Sequence, residues 1–185
     1  MGVPEIDHLM GKNIDQLVQI LRDAPLHPEE GVPPSLDRSE ITELQRRLGM
    51  GFPPTFAEWL TKTNAPCVGS GGFVGLSPAR KSLDIEAIYQ NYPSWQSAGW
   101  IPVANDGSGN YYVLVPPRFP VAFIDVSENP CGLAYVAASN LLKFIEMFIR
   151  RECGERDWPF NEDYVLRNDP DVVTHRDLAC MPWES

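Results

Sequence analysis

Long apolar runs are missing from this chain. No stretch approaches the roughly 20 residues needed to span a bilayer, so a transmembrane helix is not expected. Cysteine is sparse and scattered, with Cys67, Cys131, Cys153 and Cys180 far apart and no Cys-x-x-Cys pair. The three histidines, His8, His27 and His175, are equally dispersed. Zinc sites are built from close ligand pairs, so no metal or other cofactor is expected, and the thiols read as small buried groups rather than disulfides. Positive charge is also short: 15 Lys and Arg against 25 Asp and Glu leave a formal net charge of −10. Such a surface repels phosphate backbones, which argues against nucleic acid as a partner. It would attract a basic protein and speed encounter with it, or simply keep the domain soluble. The opening residues Met1 to Asp7 lack the charged-then-apolar layout of a signal peptide, and Ile6 stands where myristoylation needs Ser or Thr. The expectation is a cytoplasmic protein with no membrane contact.

What is present is enough for one domain with extensions: 185 residues, 43% of them hydrophobic. Ile6, Leu9, Met10, Leu17, Ile20 and Leu21 fall on a helical stripe, broken by a link from Pro25 to Pro34. Ser35 to Asp37 suits the cap of a second helix with Ile41, Leu44 and Leu48 on its apolar face. Gly49 can end that helix in the left-handed conformation, and Pro54 suits the first turn of a third, whose Phe56, Trp59, Leu60 and Thr63 share a face. Gly69 to Leu76 reads as a loop entering a short strand, and Ile85 to Tyr92 as a short helix stopped by Pro93. Strands are predicted over Trp100–Ala104, Tyr111–Val115 and Val121–Val126, with a further one over Leu133–Val136, and a helix over Asn140–Arg151. The short links favour antiparallel pairing, since parallel crossovers need a dozen or more residues. Helices before and after a run of strands make the fold class α+β, a mainly antiparallel sheet with helices packed on it. Trp59, Leu60, Trp100, Ile124, Phe144 and Phe148 are the expected core.

Candidate chemistry is thin. Gly69-Ser70-Gly71-Gly72 is not followed by Gly-Lys-Ser/Thr, so a turn is expected there rather than a phosphate loop. Asp106-Gly107-Ser108-Gly109-Asn110 has oxygens enough to suggest calcium, but lacks the alternating acids and closing Glu of an EF-hand loop; it reads as a five-residue hairpin turn. Asp106 with Asp125 in a cleft, or Cys131 with His175 and Asp177, are the arrangements an enzyme would use. Tyr89, Tyr92 and Trp95 lie in the stretch before the first long strand and would anchor an interface if partly exposed. The charge is uneven: Glu152 to Ser185 holds nine acids against three arginines.

Two segments carry a resemblance. Leu48-Gly49-Met50-Gly51-Phe52-Pro53-Pro54-Thr55-Phe56, with Trp59 and the closing Asn64, is followed by Trp100-Ile101-Pro102-Val103-Ala104, the Asp106–Asn110 turn and the aromatic Tyr111-Tyr112. In that order they resemble the SUKH superfamily, named for a yeast cell-wall regulator and its bacterial relatives, from about Ile41 to Phe148. The ending Leu178 to Glu184 also looks like a common bacterial one. One departure is visible: the family usually has Asn-Gly where this chain has Asn64-Ala65-Pro66.

The resemblance implies a SUKH-like domain over 35–152, preceded by an N-terminal helix and proline-containing link (1–34) and followed by an acidic extension packed on the same domain (153–185). It implies a cytoplasmic immunity protein of bacterial competition. Such a protein is no enzyme; it is a monomer or weak dimer that neutralises a cognate polymorphic toxin, a basic nuclease or deaminase domain. The toxin-binding candidates are then Asp106, Asn110, Tyr89, Tyr92, Trp95, Glu162, Asp163, Asp169 and Asp171. Two alternatives stand beside it: a regulatory or scaffold module like the yeast relative, and an enzyme using Asp106/Asp125 or Cys131/His175.

Overall fold

The computed structural model describes residues 13–23 and 34–184; His8, His27, the start of the first helical stripe and most of the Pro25–Pro34 link lie outside them. Three helices come first, α1 (Ile14–Asp23), α2 (Arg38–Leu48) and α3 (Pro54–Lys62). Helix α2 opens on a capping box, with Asp37 Oδ1 accepting from Glu40 N at 2.8 Å and Glu40 Oε2 accepting from Asp37 N at 2.7 Å. It ends at Gly49 in the left-handed region, and α3 starts on Pro54, both as the sequence predicts. Asn64 then clasps Leu76, its Nδ2 donating to the Leu76 carbonyl and its Oδ1 accepting from the Leu76 amide.

Six strands follow: β1 (Cys67–Val68), β2 (Gly71–Phe73), β3 (Ile101–Asn105), β4 (Tyr111–Leu114), β5 (Val121–Ile124) and β6 (Tyr135–Ala138). They form one sheet in sequence order, antiparallel throughout. Helices α4 (Ile85–Asn91) and α5 (Pro93–Ser97) precede β3; α6 (Leu141–Glu152) and α7 (Glu162–Asn168) follow β6, with 3₁₀ turns at Pro170–His175 and Pro182–Glu184. This is the expected α+β fold. The loop predicted at Gly69 is the turn of a hairpin, and the short strand it was expected to enter is β2, which pairs with β1. The hairpin turn packs on the β3–β4 turn so closely that a Cβ on Gly71 would strike the Asn105 carbonyl oxygen, and one on Gly107 the Ser70 carbonyl oxygen.

Helices cover both faces of the sheet, so β3 and β4 are buried along their whole length. On one face Tyr112 meets Phe144, Phe148 and Trp158. On the other Tyr111 meets Tyr92 and Trp95. Trp59, Leu60, Ile124, Phe144 and Phe148 are buried as expected, whereas Trp100, just before β3, is only half-buried. The outer edge of β6 is closed by the C-terminal residues. Val136 N donates to the Cys180 carbonyl at 3.0 Å, Trp158 Nε1 donates to the Ala137 carbonyl at 3.1 Å, and Asp169 accepts from the Ser139 amide.

Candidate functional site

The five-residue turn between β3 and β4 is held by its own side chains. Asp106 Oδ1 accepts from the amides of Ser108 and Asn110, and Asp106 Oδ2 accepts from Asn110 Nδ2 at 2.9 Å. Asn110 Oδ1 in turn accepts from Val126 N, tying this turn to the start of the β5–β6 loop. Asp106 and Asn110, half-exposed, therefore build the turn, and their side-chain hydrogen bonds are those of hairpin chemistry rather than of an open ligand set.

Both loops open onto one cleft of about 410 Å³. Its wall is a row of rings running across the strands. Pairing brings Tyr112, Phe123 and Tyr135 opposite one another on the same face, with ring centroids 5.0 Å and 4.8 Å apart. Phe160, from the chain after α6, continues the row against Tyr135 at 5.8 Å. Tyr112 is fully covered, Tyr135 nearly so and Phe123 half-covered, while Phe160 is 56% exposed. Phe160 is the large hydrophobic residue left in water among the described residues. Asp106, Asp125 and Glu128 stand at the cleft from the two loops, and Arg151, at the end of α6, enters from the other side.

The polar groups of the cleft differ in character. Burial pushes the Tyr112 hydroxyl up to about 12 and raises Tyr135 further, so both remain hydrogen-bond donors at neutral pH. Arg151 Nη1 donates to the Tyr112 hydroxyl at 3.3 Å, and its guanidinium lies 6.0 Å over the Trp158 ring. It forms no ion pair with a carboxylate of the described residues. Asp125 Oδ1 accepts from the Ser127 hydroxyl at 2.6 Å and from the amides of Ser127 and Glu128. The Ser127 hydroxyl holds its carboxyl below the ordinary range. That shift runs opposite to the one a general base poised near neutrality needs. Asp106 and Asp125 do share the cleft, yet both are engaged in turn hydrogen bonds, which gives the paired-carboxylate reading no support.

Several sequence-based candidates are corrected. Trp95 is wholly buried and Tyr89 nearly so, because α4 and α5 cover the second face of the sheet; neither can anchor a partner. Trp95 Nε1 donates to the Pro130 carbonyl at 2.6 Å, and Tyr89 OH donates to the Trp100 carbonyl. Tyr92, stacked on Trp95 at 4.3 Å, is half-buried. Asp169 is buried at 1% exposure and serves Ser139. Glu162, Asp163 and Asp171 are exposed but do not line the cleft. Cys131 and His175 make no contact: the thiol lies near Ser94 Oγ, and His175 is buried in the 3₁₀ turn with Nδ1 unpartnered among the described residues, while Asp177 pairs with Arg118. Sequence reasoning missed Glu128, Tyr135, Arg151 and Phe160. The apolar triplet Trp158-Pro159-Phe160 inside a polar stretch was the available signal for the last.

The family model described as SMI1 / KNR4 family (SUKH-1) matches residues 35–147, more than half of the chain. The chain belongs to the SUKH-1 family. The SUKH-1 segment ends within α6, so Asp106, Phe123, Asp125, Glu128 and Tyr135 fall inside it, and Arg151 and Phe160 fall beyond it. No curated protein and no solved structure matches. No helix among the described residues is long and apolar enough to cross a membrane.

Proposed function

We propose that this SUKH-1 chain is an immunity protein that binds a cognate polymorphic toxin in the cytoplasm and neutralises it by contact, without chemistry of its own. The observation that carries the reading is the family match over 35–147, since the SUKH superfamily includes such proteins and the fold alone would not assign a role. Two features of the surface suit it. Acidity of −10 favours a basic partner, such as a nucleic-acid-acting toxin with a positive substrate groove, and steers its approach. The cleft adds rings and carboxylates within one face, the combination that slows release. Residues 35–152 then form the binding domain, and 153–185 an extension packed on it that supplies part of the cleft.

The test is co-expression with the product of a toxin-like gene adjacent to its own. A one-to-one complex and survival of toxin-exposed cells only when this protein is present are expected. Equal survival without it would remove the immunity role and leave the regulatory or scaffold module as the better reading.

A further inference from the structure

The ring row, the loop carboxylates and Arg151 have a common geometry that the fold does not require. Phe160 stays in water although the neighbouring Trp158 is buried. Glu128 is exposed and forms no ion pair among the described residues, and Asp125 Oδ2 accepts from none of them, while Oδ1 accepts three hydrogen bonds. Arg151 uses one nitrogen on Tyr112, and its other N–H groups meet no acceptor among the described residues. A cleft of about 410 Å³ with an apolar wall and a few convergent polar groups has the proportions of a binding pocket.

Resting on the reading above, we propose that this cleft takes a lysine or arginine side chain presented by an extended segment of the protein partner. Charge complementarity selects that occupant: three carboxylates at the cleft outnumber its one guanidinium. The aliphatic stem of the guest lies along Phe123, Tyr135 and Phe160, where long cationic side chains bury their methylenes and the cation meets aromatic faces. Its charged end reaches Asp125 and Glu128, and a guanidinium there would pair in a fork with a carboxylate. Arg151 donates to a main-chain carbonyl of the guest, which reconciles a cation in the cleft with a cationic guest. Because Arg151 and Phe160 lie beyond the family match, the pocket is specific to chains carrying this C-terminal segment.

The experiment is a titration of the ¹⁵N-labelled protein with N-acetyl-arginine methylamide, followed by amide chemical shifts. Saturable shifts are expected at Phe123, Asp125, Glu128, Ala134, Tyr135 and Phe160. The neutral citrulline isostere should bind about fivefold more weakly, the worth of one solvent-exposed charge pair. Glu128→Gln should weaken the arginine probe by a similar factor. Phe160→Ser should weaken both probes with the rest of the spectrum unchanged, since Phe160 is exposed and its truncation opens no buried cavity. Shifts centred elsewhere, equal affinity for citrulline, or tighter binding of N-acetyl-glutamate methylamide would each overturn the proposal, the last by assigning the cleft to an anion on Arg151. A silent cleft in a protein that still protects cells would sink this inference and leave the immunity reading standing. A responsive cleft in a protein that gives no protection would do the reverse.

Discussion

Asp169 caps Ser139 across 30 residues of chain: its Oδ2 accepts from the Ser139 amide at 2.7 Å and its Oδ1 from the Ser139 hydroxyl at 2.5 Å, with both residues buried. Asp169→Ala would leave a buried amide N–H and a buried hydroxyl donor without acceptors, a loss of about 3 kcal/mol. Urea denaturation should show that loss with an unchanged slope. Burial raises the Asp169 carboxyl above its usual 3.8 despite the Ser139 hydrogen bonds. The native state therefore holds this proton more tightly than the unfolded chain. Its contribution is fully present below about 3.8 and lost as pH rises through the raised native value.

His175 has the opposite sign. Burial, with Arg118 nearby, lowers it from 6.5, against the pull of Asp177, Asp169 and Asp171. A depressed native value means its contribution is present above pH 6.5 and lost as pH falls through that value. Stability measured from pH 7 to pH 5 should fall by this contribution in the wild type, and His175→Leu should flatten that part of the profile. An unchanged profile would show that the imidazole is not the group responsible.

Ala65 stands at φ 50°, in the left-handed region, at the position where the family resemblance leads one to expect glycine. Ala65→Gly relieves that strain but frees the unfolded chain and removes a buried methyl. Thermal or urea unfolding should place it within about 1 kcal/mol of wild type. Ala65→Val, branched where no branch is tolerated, should lose roughly 2 kcal/mol.

Trp158 lies beyond the family match, yet its ring packs on Tyr112, Phe144 and Phe148. Trp158→Ala should cost about 3–5 kcal/mol, as much as truncating Trp59 inside the match. A cost under about 1 kcal/mol would mean the C-terminal segment is only an appendage.

If the partner is basic, association should slow markedly between about 0.05 and 0.5 M salt, as the Debye length shrinks from roughly 14 to 4 Å. Reversing Glu162, Asp163 and Asp171 to Lys tests the exposed tail, and Glu128→Lys tests the cleft. Asp169 must be left out of such a set, because its reversal would unfold the β6 edge and imitate lost binding. Rates of association measured by stopped flow that ignore both salt and charge would exclude steering.

Local chemistry was the legible part. The Asp106–Asn110 turn, the Asp37 and Gly49 caps and the Pro54 start depend on residues within a few positions of one another, and the structure has them where the sequence placed them. The three central strands fell within a residue or two for the same reason. What failed was non-local. Trp95 looked available because nothing near it announces that α4 and α5 will cover a second face. Asp169 looked like one more solvated acid because its partner is 30 residues away. The 3₁₀ turns are too short to show periodicity. The ring row follows from pairing Tyr112, Phe123 and Tyr135, but Arg151 and Phe160 arrive only through the packing of the chain after β6.

The closed edge of β6 restricts how any partner can recognise this chain. Proteins that add a foreign strand to an open sheet edge read main-chain groups, which every sequence shares, and take selectivity from a few side pockets. Here main-chain groups of β6 are engaged by Cys180 and Trp158, the Ser139 amide just after it by Asp169, and the opposite edge strand is two residues long. Recognition is thereby confined to side chains on faces and loops. Such a surface can be rewritten one residue at a time while the scaffold beneath stays fixed, which allows a lineage to exchange partners faster than it can exchange folds.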